Sequence, residues 1–137
     1  MPVCSKQFDL TIVMENSARI DEDQFEQVKD FSKQFVNAFD VREEGTHVAI
    51  VSYGTAPVVH TRFDSFSGPV LSKEKITDDI DKIVFESGNA VTTNTALTEV
   101  FKTVYGDGNG ARNGTNKVIY PDFCVLMGRE GGDVVFV

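Results

Sequence analysis

Two cysteines in 137 residues are too few for a disulfide scaffold, in which several bridges replace a hydrophobic core. Cys4 precedes the first apolar run and Cys124 lies within "FCVLM". If those runs form neighbouring parallel strands, the two cysteines stand about 26 Å apart at the usual strand rise. A bridge needs Cα atoms within about 7 Å. Cys124 is therefore expected to be a small buried hydrophobe, and Cys4 to be available for pairing outside this chain. Basic charge is also scarce: 13 Lys and Arg stand against 21 Asp and Glu, for a net charge of −8. Such a surface repels phosphate backbones and anionic lipid, so neither a nucleic-acid nor a membrane-surface role is expected. No run reaches the roughly 18 apolar residues of a membrane span. "MPVCSKQ" offers no apolar signal-peptide core. The two remaining compartments are the cytosol and, for a domain of a longer secreted protein, the outside of the cell. Asn113-Gly114-Thr115, an N-glycosylation acceptor in a Gly- and Asn-rich stretch, favours the extracellular reading.

Catalytic and cofactor signatures are equally short. The first strand-to-helix turn has no glycine cradle for a dinucleotide. No Gly-x-Ser-x-Gly nucleophile elbow occurs. "GDGNGARNG" lacks both the Lys-Ser/Thr of a phosphate loop and the carboxylate spacing of an EF-hand, and reads as a connection. His47 and His60 have no Cys or carboxylate at ligand spacing. No catalytic set is expected, and a small α/β enzyme is the weakest of the alternatives.

What the chain does have is patterned apolar content, 41% of residues, enough for one globular core. "FDLTIVM" and "THVAIVSYG" read as buried strands. Between them, Phe25, Val28, Phe31, Phe35, Val36 and Phe39 recur at helical spacing, with acidic Asp21, Glu22 and Asp23 at the end where the helix dipole favours them. Gly45 reads as the stop of that helix. "TAPVVHTRF" follows after too short a turn for a crossover, so it should run antiparallel as an edge strand opened by Pro57. Helices are expected over "SKEKITDDIDKIVF", with Ile76, Ile80, Ile83 and Val84 inward, and over "TALTEVFKTVYG", with Leu97, Val100, Phe101 and Val104 inward. The fourth strand is placed at "DFCVLM"; in the alternative register it is "NKVIYPD", at the expense of placing Pro121 in a central strand. "DVVFV" is too close behind for a parallel crossover and reads as a hairpin partner or the start of a further unit. The expected fold class is α/β, a doubly wound, mainly parallel sheet with one antiparallel edge strand. Residues 1–137 form a single domain, expected to be C-terminally incomplete because the C-terminal helices of such a sheet are missing. In such sheets ligands bind beyond the carboxyl ends of the strands, which gathers residues 15–19, the 88–95 loop and the end of "FCVLM" on one rim.

Taken together, "CSKQFDLTIVMENSARI", "QFEQVKDFSKQFVNAFDV", "GTHVAIVSYG", "PVVHTRF", "TTNTALTEVF" and "FCVLMG" resemble the von Willebrand factor type A domain, over nearly the whole chain. The resemblance implies the same doubly wound fold and a metal-ion-dependent adhesion site at the rim. That site has an Asp-x-Ser-x-Ser motif after the first strand, a Thr before the third helix and an Asp after the fourth strand. Here Glu15 stands in the Asp position, Ser17 in the first Ser position and Arg19 in the second. The Thr position falls on Val91, beside Thr92 and Thr93, and the last Asp position on Gly128, or on Asp122 in the alternative register. Mg²⁺ demands hard oxygens in near-octahedral geometry, so a degenerate, metal-free site is expected, with Arg19 paired to Glu15. If an ion were bound, Glu15 and Ser17 would be its ligands.

The resemblance then implies a non-enzymatic adhesion or extracellular-matrix module without a cofactor. It would engage a matrix or cell-surface protein, such as collagen or a receptor, through Glu15, Asn16, Ser17, Arg19, Thr92, Thr93 and Thr95. A weak Mg²⁺- or Mn²⁺-dependent site of the same family and a purely structural matrix repeat are the alternatives.

Overall fold

The computed structural model describes residues 7–89, 93–105, 112, 116–121, 127–130 and 133–136. The elements run β1 (Phe8–Glu15), α1 (Glu22–Asn37), β2 (His47–Tyr53), β3 (Pro57–Thr61), a 3-10 turn (Gly68–Val70), α2 (Lys73–Asp81), α3 (Thr93–Thr103), β4 (Asn116–Pro121), β5 (Met127–Glu130) and β6 (Asp133–Phe136). They form one six-stranded sheet in the order β3-β2-β1-β4-β5-β6.

β1 is the hinge of this order. It pairs parallel with β2, from Asp9 opposite His47 to Glu15 opposite Tyr53. It also pairs parallel with β4, from Phe8 opposite Asn116 to Val13 opposite Pro121. Strand side chains alternate between faces, and both faces of β1 are covered. Leu10, Ile12 and Met14 join Val48, Ile50, Phe25, Val36, Ile76 and Ile80 in one core. Val13 joins Ala49, Val51, Tyr53, Phe63 and Val104 in the other, with Leu97 of α3 packed against it. α1 and α2 therefore cover one face and α3 the opposite one, as a doubly wound sheet requires. β3 pairs antiparallel with β2 at one edge, opened by Pro57 as expected. β5 and β6 add a second antiparallel pair beyond β4, so "DVVFV" supplies a hairpin partner.

α1 starts where its sequence says it should. The Asp21 carboxylate accepts from the Gln24 N–H at 2.8 Å, and the Gln24 side chain accepts from the Asp21 N–H at 3.0 Å. This reciprocal cap contributes about 1 kcal/mol. Its buried line is Phe25, Lys29, Ser32 and Val36. Two members of the expected stripe, Phe25 and Val36, are buried; Phe35 and Phe39 lie partly buried beside the core, and Phe31 is 46% exposed. The difference has a cause. Lys29 occupies the core line with its ammonium over the Phe25 ring, 5.9 Å from its centre, and donating to Asp81 O and Ile83 O. It thereby satisfies carbonyls at the end of α2 that no helix turn can reach.

Four expectations are corrected. α1 stops at Asn37, with Ala38 as its C-cap, and Gly45 instead closes the following turn through its N–H to Arg42 O. Val84 is exposed, because α2 ends at Asp81 and the helical spacing no longer applies to it. The central fourth strand is "NKVIYP", not "DFCVLM". Pro121 is tolerated because it is the last residue of β4, where the pairing with β1 ends opposite Val13 and β5 pairs only with Val118 and Ile119. Gly128 lies opposite Val118 within that antiparallel pair, so it does not occupy the strand end beside Glu15. Residues 122–126, and with them Asp122 and Cys124, lie outside the described residues, as do Cys4, Val91, Thr92 and Asn113.

Candidate functional site

At the carboxyl end of β1 the chain leaves the sheet through Glu15, Asn16 and Ser17, all buried. Asn16 fixes the wall of the rim. Its side-chain amide donates to Val84 O at 3.0 Å, and its carbonyl oxygen accepts from the Glu86 N–H at 2.8 Å. Its backbone N–H donates to Tyr53 O, and the Ala18 N–H donates to Gly88 O. Residues 84–88 are thus stapled beside the strand ends. The fit is close enough to demand glycine twice: a Cβ on Gly54 would lie 2.1 Å from Asn16 O, and one on Gly88 2.6 Å from Thr55 N.

Over this base Glu15, Ser17 and Arg19 form one bonded unit. Ser17 Oγ donates to Glu15 Oε1 at 2.8 Å and accepts from the Arg19 N–H at 3.2 Å. Arg19 Nε donates to the same Glu15 Oε1 at 2.6 Å. The Glu15 side chain is 2% exposed and the Arg19 side chain 54%. A buried carboxylate thus holds a guanidinium whose outer part faces solvent. This is the ion pair expected from the sequence, made by charge-assisted bonds of the stronger kind.

The arrangement does not suit a divalent ion. Glu15 Oε1 already receives a hydroxyl and a guanidinium, and the Ser17 hydroxyl both donates and accepts within the unit. A fixed positive charge at this distance opposes a second cation in the same space. Among the described residues, no group of three or more His, Cys, Asp or Glu side chains is poised to hold a metal.

The structure sorts the expected contact residues. Arg19 and Thr95 are exposed. Thr93 opens α3. Asn16, like Glu15 and Ser17, is buried, and both ends of its amide are used in stapling the 84–88 wall.

A second buried carboxylate, which sequence reading passed over, lies at the other end of β1. Asp9 accepts from both the backbone N–H and Nε of Arg112, at 2.7 and 2.9 Å, and Arg112 Nη2 donates to Gly45 O at 2.9 Å. Beside it the Tyr105 hydroxyl donates to Asp9 O and accepts from Thr11 Oγ1. Burial pushes the Tyr105 phenol far up, so it stays a donor. The available signal was a lone Asp inside the apolar run "FDLTIVM": a buried charge needs a partner.

Comparison with known proteins places these features. Residues 9–120 match the family model of the von Willebrand factor type A domain. The chain is 26% identical over 112 residues to von Willebrand factor of Rattus norvegicus, covering 82% of this chain and 25% of that protein. It is 26% identical over 111 residues to von Willebrand factor A domain-containing protein 2 of Xenopus laevis, covering 81% of this chain and 13% of that one. The chain thus spans a quarter or less of the curated relatives it matches. Among solved structures it is similar to proximal thread matrix protein 1 from the mussel byssus with a zinc-occupied metal-ion-dependent adhesion site. That match has a TM-score of 0.78 at 20% identity, over 88% of this chain and 32% of that one. A second crystal form of the same protein gives 0.77 at 21% identity.

Proposed function

The chain belongs to the von Willebrand factor type A domain family, and from that membership we propose that it is a non-enzymatic protein-binding module of an extracellular adhesion or matrix protein. It acts through the carboxyl edge of its sheet and without a metal. The family's members are typically adhesion and protein-binding modules. The observation that supports the finer reading is the Glu15–Ser17–Arg19 unit, in which the Arg19 guanidinium and the Ser17 hydroxyl both donate to the buried Glu15 carboxylate. The proposed contact residues are Arg19, Thr92, Thr93 and Thr95, with Glu15 and Ser17 holding Arg19 in place. The partner is an extracellular-matrix or cell-surface protein, such as collagen or a receptor.

Arrayed matrix proteins and receptor ectodomains test this reading. Binding should persist in EDTA and weaken in Arg19→Ala; loss of all binding in EDTA would overturn the metal-free mode. One observation favours a second reading, a weak cation-dependent site: the structurally similar byssus protein holds zinc at its adhesion site. An ion at a hundredfold excess over its dissociation constant would add about 2.7 kcal/mol to stability. Melting in Mg²⁺ or Mn²⁺ therefore separates the two readings, and no shift is expected for the natural sequence.

A further inference from the structure

Residues 83–87 belong to no helix or strand, yet they wall the rim. Two side chains hold the carbonyls of this segment from different sides. From α1, the Lys29 ammonium donates to Asp81 O at 3.2 Å and to Ile83 O at 3.0 Å. From the rim, the Asn16 amide donates to Val84 O at 3.0 Å. Ile83 and Val84 are consecutive, so the two catches hold adjacent carbonyls joined by a single pair of soft torsions. Next along, the Phe85 ring meets the buried ring of Phe25, with centres 5.6 Å apart, and Phe25 stands one turn before Lys29 on α1. The Glu86 N–H then donates to Asn16 Oδ1 at 2.8 Å. Gly88 is bridged to Ser17, with the Ala18 N–H donating to Gly88 O at 2.9 Å. Between these holds, Ser87 is the one non-glycine with positive φ among the described residues, at 50°. A conformation that side chains disfavour persists where both flanks are fixed.

We propose that the 81–88 segment is a strap through which helix α1 sets the position of the rim, with Lys29 as its catch. The segment has no ladder of its own, so side chains must satisfy its carbonyls. A buried carbonyl left without a donor costs more than the bond itself contributed. Without the ammonium, Asp81 O and Ile83 O must move to find other donors, and Val84 moves with them. That shift reaches Asn16 and, through Gly88, Ser17 and Ala18. The ammonium is also paired at 3.2 Å with the Glu26 carboxylate, which is 56% exposed. The catch therefore has one end at the surface of α1. Coupling of this kind is reciprocal, so loosening at Asn16 is felt at Lys29. The strap rests on contacts within the chain and stands whether or not the rim binds a protein.

Lys29→Met keeps an unbranched side chain and removes the ammonium, and amide hydrogen exchange reads the result. Exchange at Ala18 and Gly88 should quicken about tenfold, the ratio that matches one lost hydrogen bond. Exchange at Ile50, in the middle of β2, should stay slow. Unchanged exchange at Ala18 and Gly88 would overturn the strap. So would an equal rise at Ile50, which would mean that the whole fold has loosened. Asn16→Ala supplies the reverse measurement and decides the matter if Lys29→Met does not fold. In Asn16→Ala the nitrogen-15 resonance of the Lys29 ammonium should shift, and a Lys29 signal indifferent to Asn16 would overturn the strap.

Discussion

The two ends of β1 hold the same chemical pair for different ends. Asp9 and Glu15 are both buried carboxylates on the same face of one strand, and each is bonded to an arginine through Nε. At the amino end, Arg112 is 22% exposed and reaches three places, the Asp9 carboxylate, Gly45 O and Glu43 O. It ties β1 to the turn before β2. At the carboxyl end, Arg19 comes from the same short turn as Glu15 and is 54% exposed. The first arginine joins distant parts of the chain and so belongs to stability. The second joins near neighbours and leaves its outer part to solvent, where a partner can meet it. What separates the two roles is exposure and sequence distance, since the bond itself is the same.

Removing each arginine gives the largest contrast. Arg112→Ala leaves Asp9 as a buried charge without its partner and should cost about 3–5 kcal/mol, read by urea unfolding. A loss below about 1 kcal/mol would show that the amino-end pair is not the stabilising one. Asn16→Ala should cost less, about 1–3 kcal/mol, by stripping two bonds from the 84–88 wall. Hydrogen exchange at Gly88 and Ala18 should rise while exchange in β2 stays slow; uniform loosening would mean that the wall is not a separate element. Arg19→Ala should cost less than Arg112→Ala, because the Ser17 hydroxyl still donates to Glu15 and solvent reaches the vacated guanidinium position. Its main effect should appear in partner binding. Equal stability losses for Arg19→Ala and Arg112→Ala would erase the distinction. The smallest effect should come from Arg19→Ser, which restores a hydroxyl beside Glu15: a Mn²⁺-dependent rise in melting temperature in this variant alone would identify the guanidinium as what excludes the ion.

The contrast also explains which parts were legible in the sequence. The rim pair could be read because Glu15 and Arg19 are close along the chain and sit where a strand gives way to a helix. The Asp9–Arg112 pair spans most of the domain, and nothing local in "GARNG" points to "FDL". Lys29 was hidden differently: a helical stripe counted by apolar residues skips a buried lysine whose ammonium lies over the Phe25 ring. The fourth strand was misplaced because "DFCVLM" is more apolar than "NKVIYP". Pairing with β1 chose the latter, and Pro121 fell at its harmless end.

By itself the sequence determined the alternation of strands and helices, the antiparallel turn-back into β3, the capped start of α1 and the Glu15–Arg19 pair at the rim. Each of these rests on residues within a few positions of one another, where propensity and spacing act directly. Only the tertiary structure decided the register of β4, the burial of Asn16 beneath the 84–88 wall, the Asp9–Arg112 clasp and the contact of His60 with Ser52. Those depend on which distant backbone arrives alongside, and that is set by satisfying buried hydrogen-bonding groups and charges across the whole fold rather than by local preference.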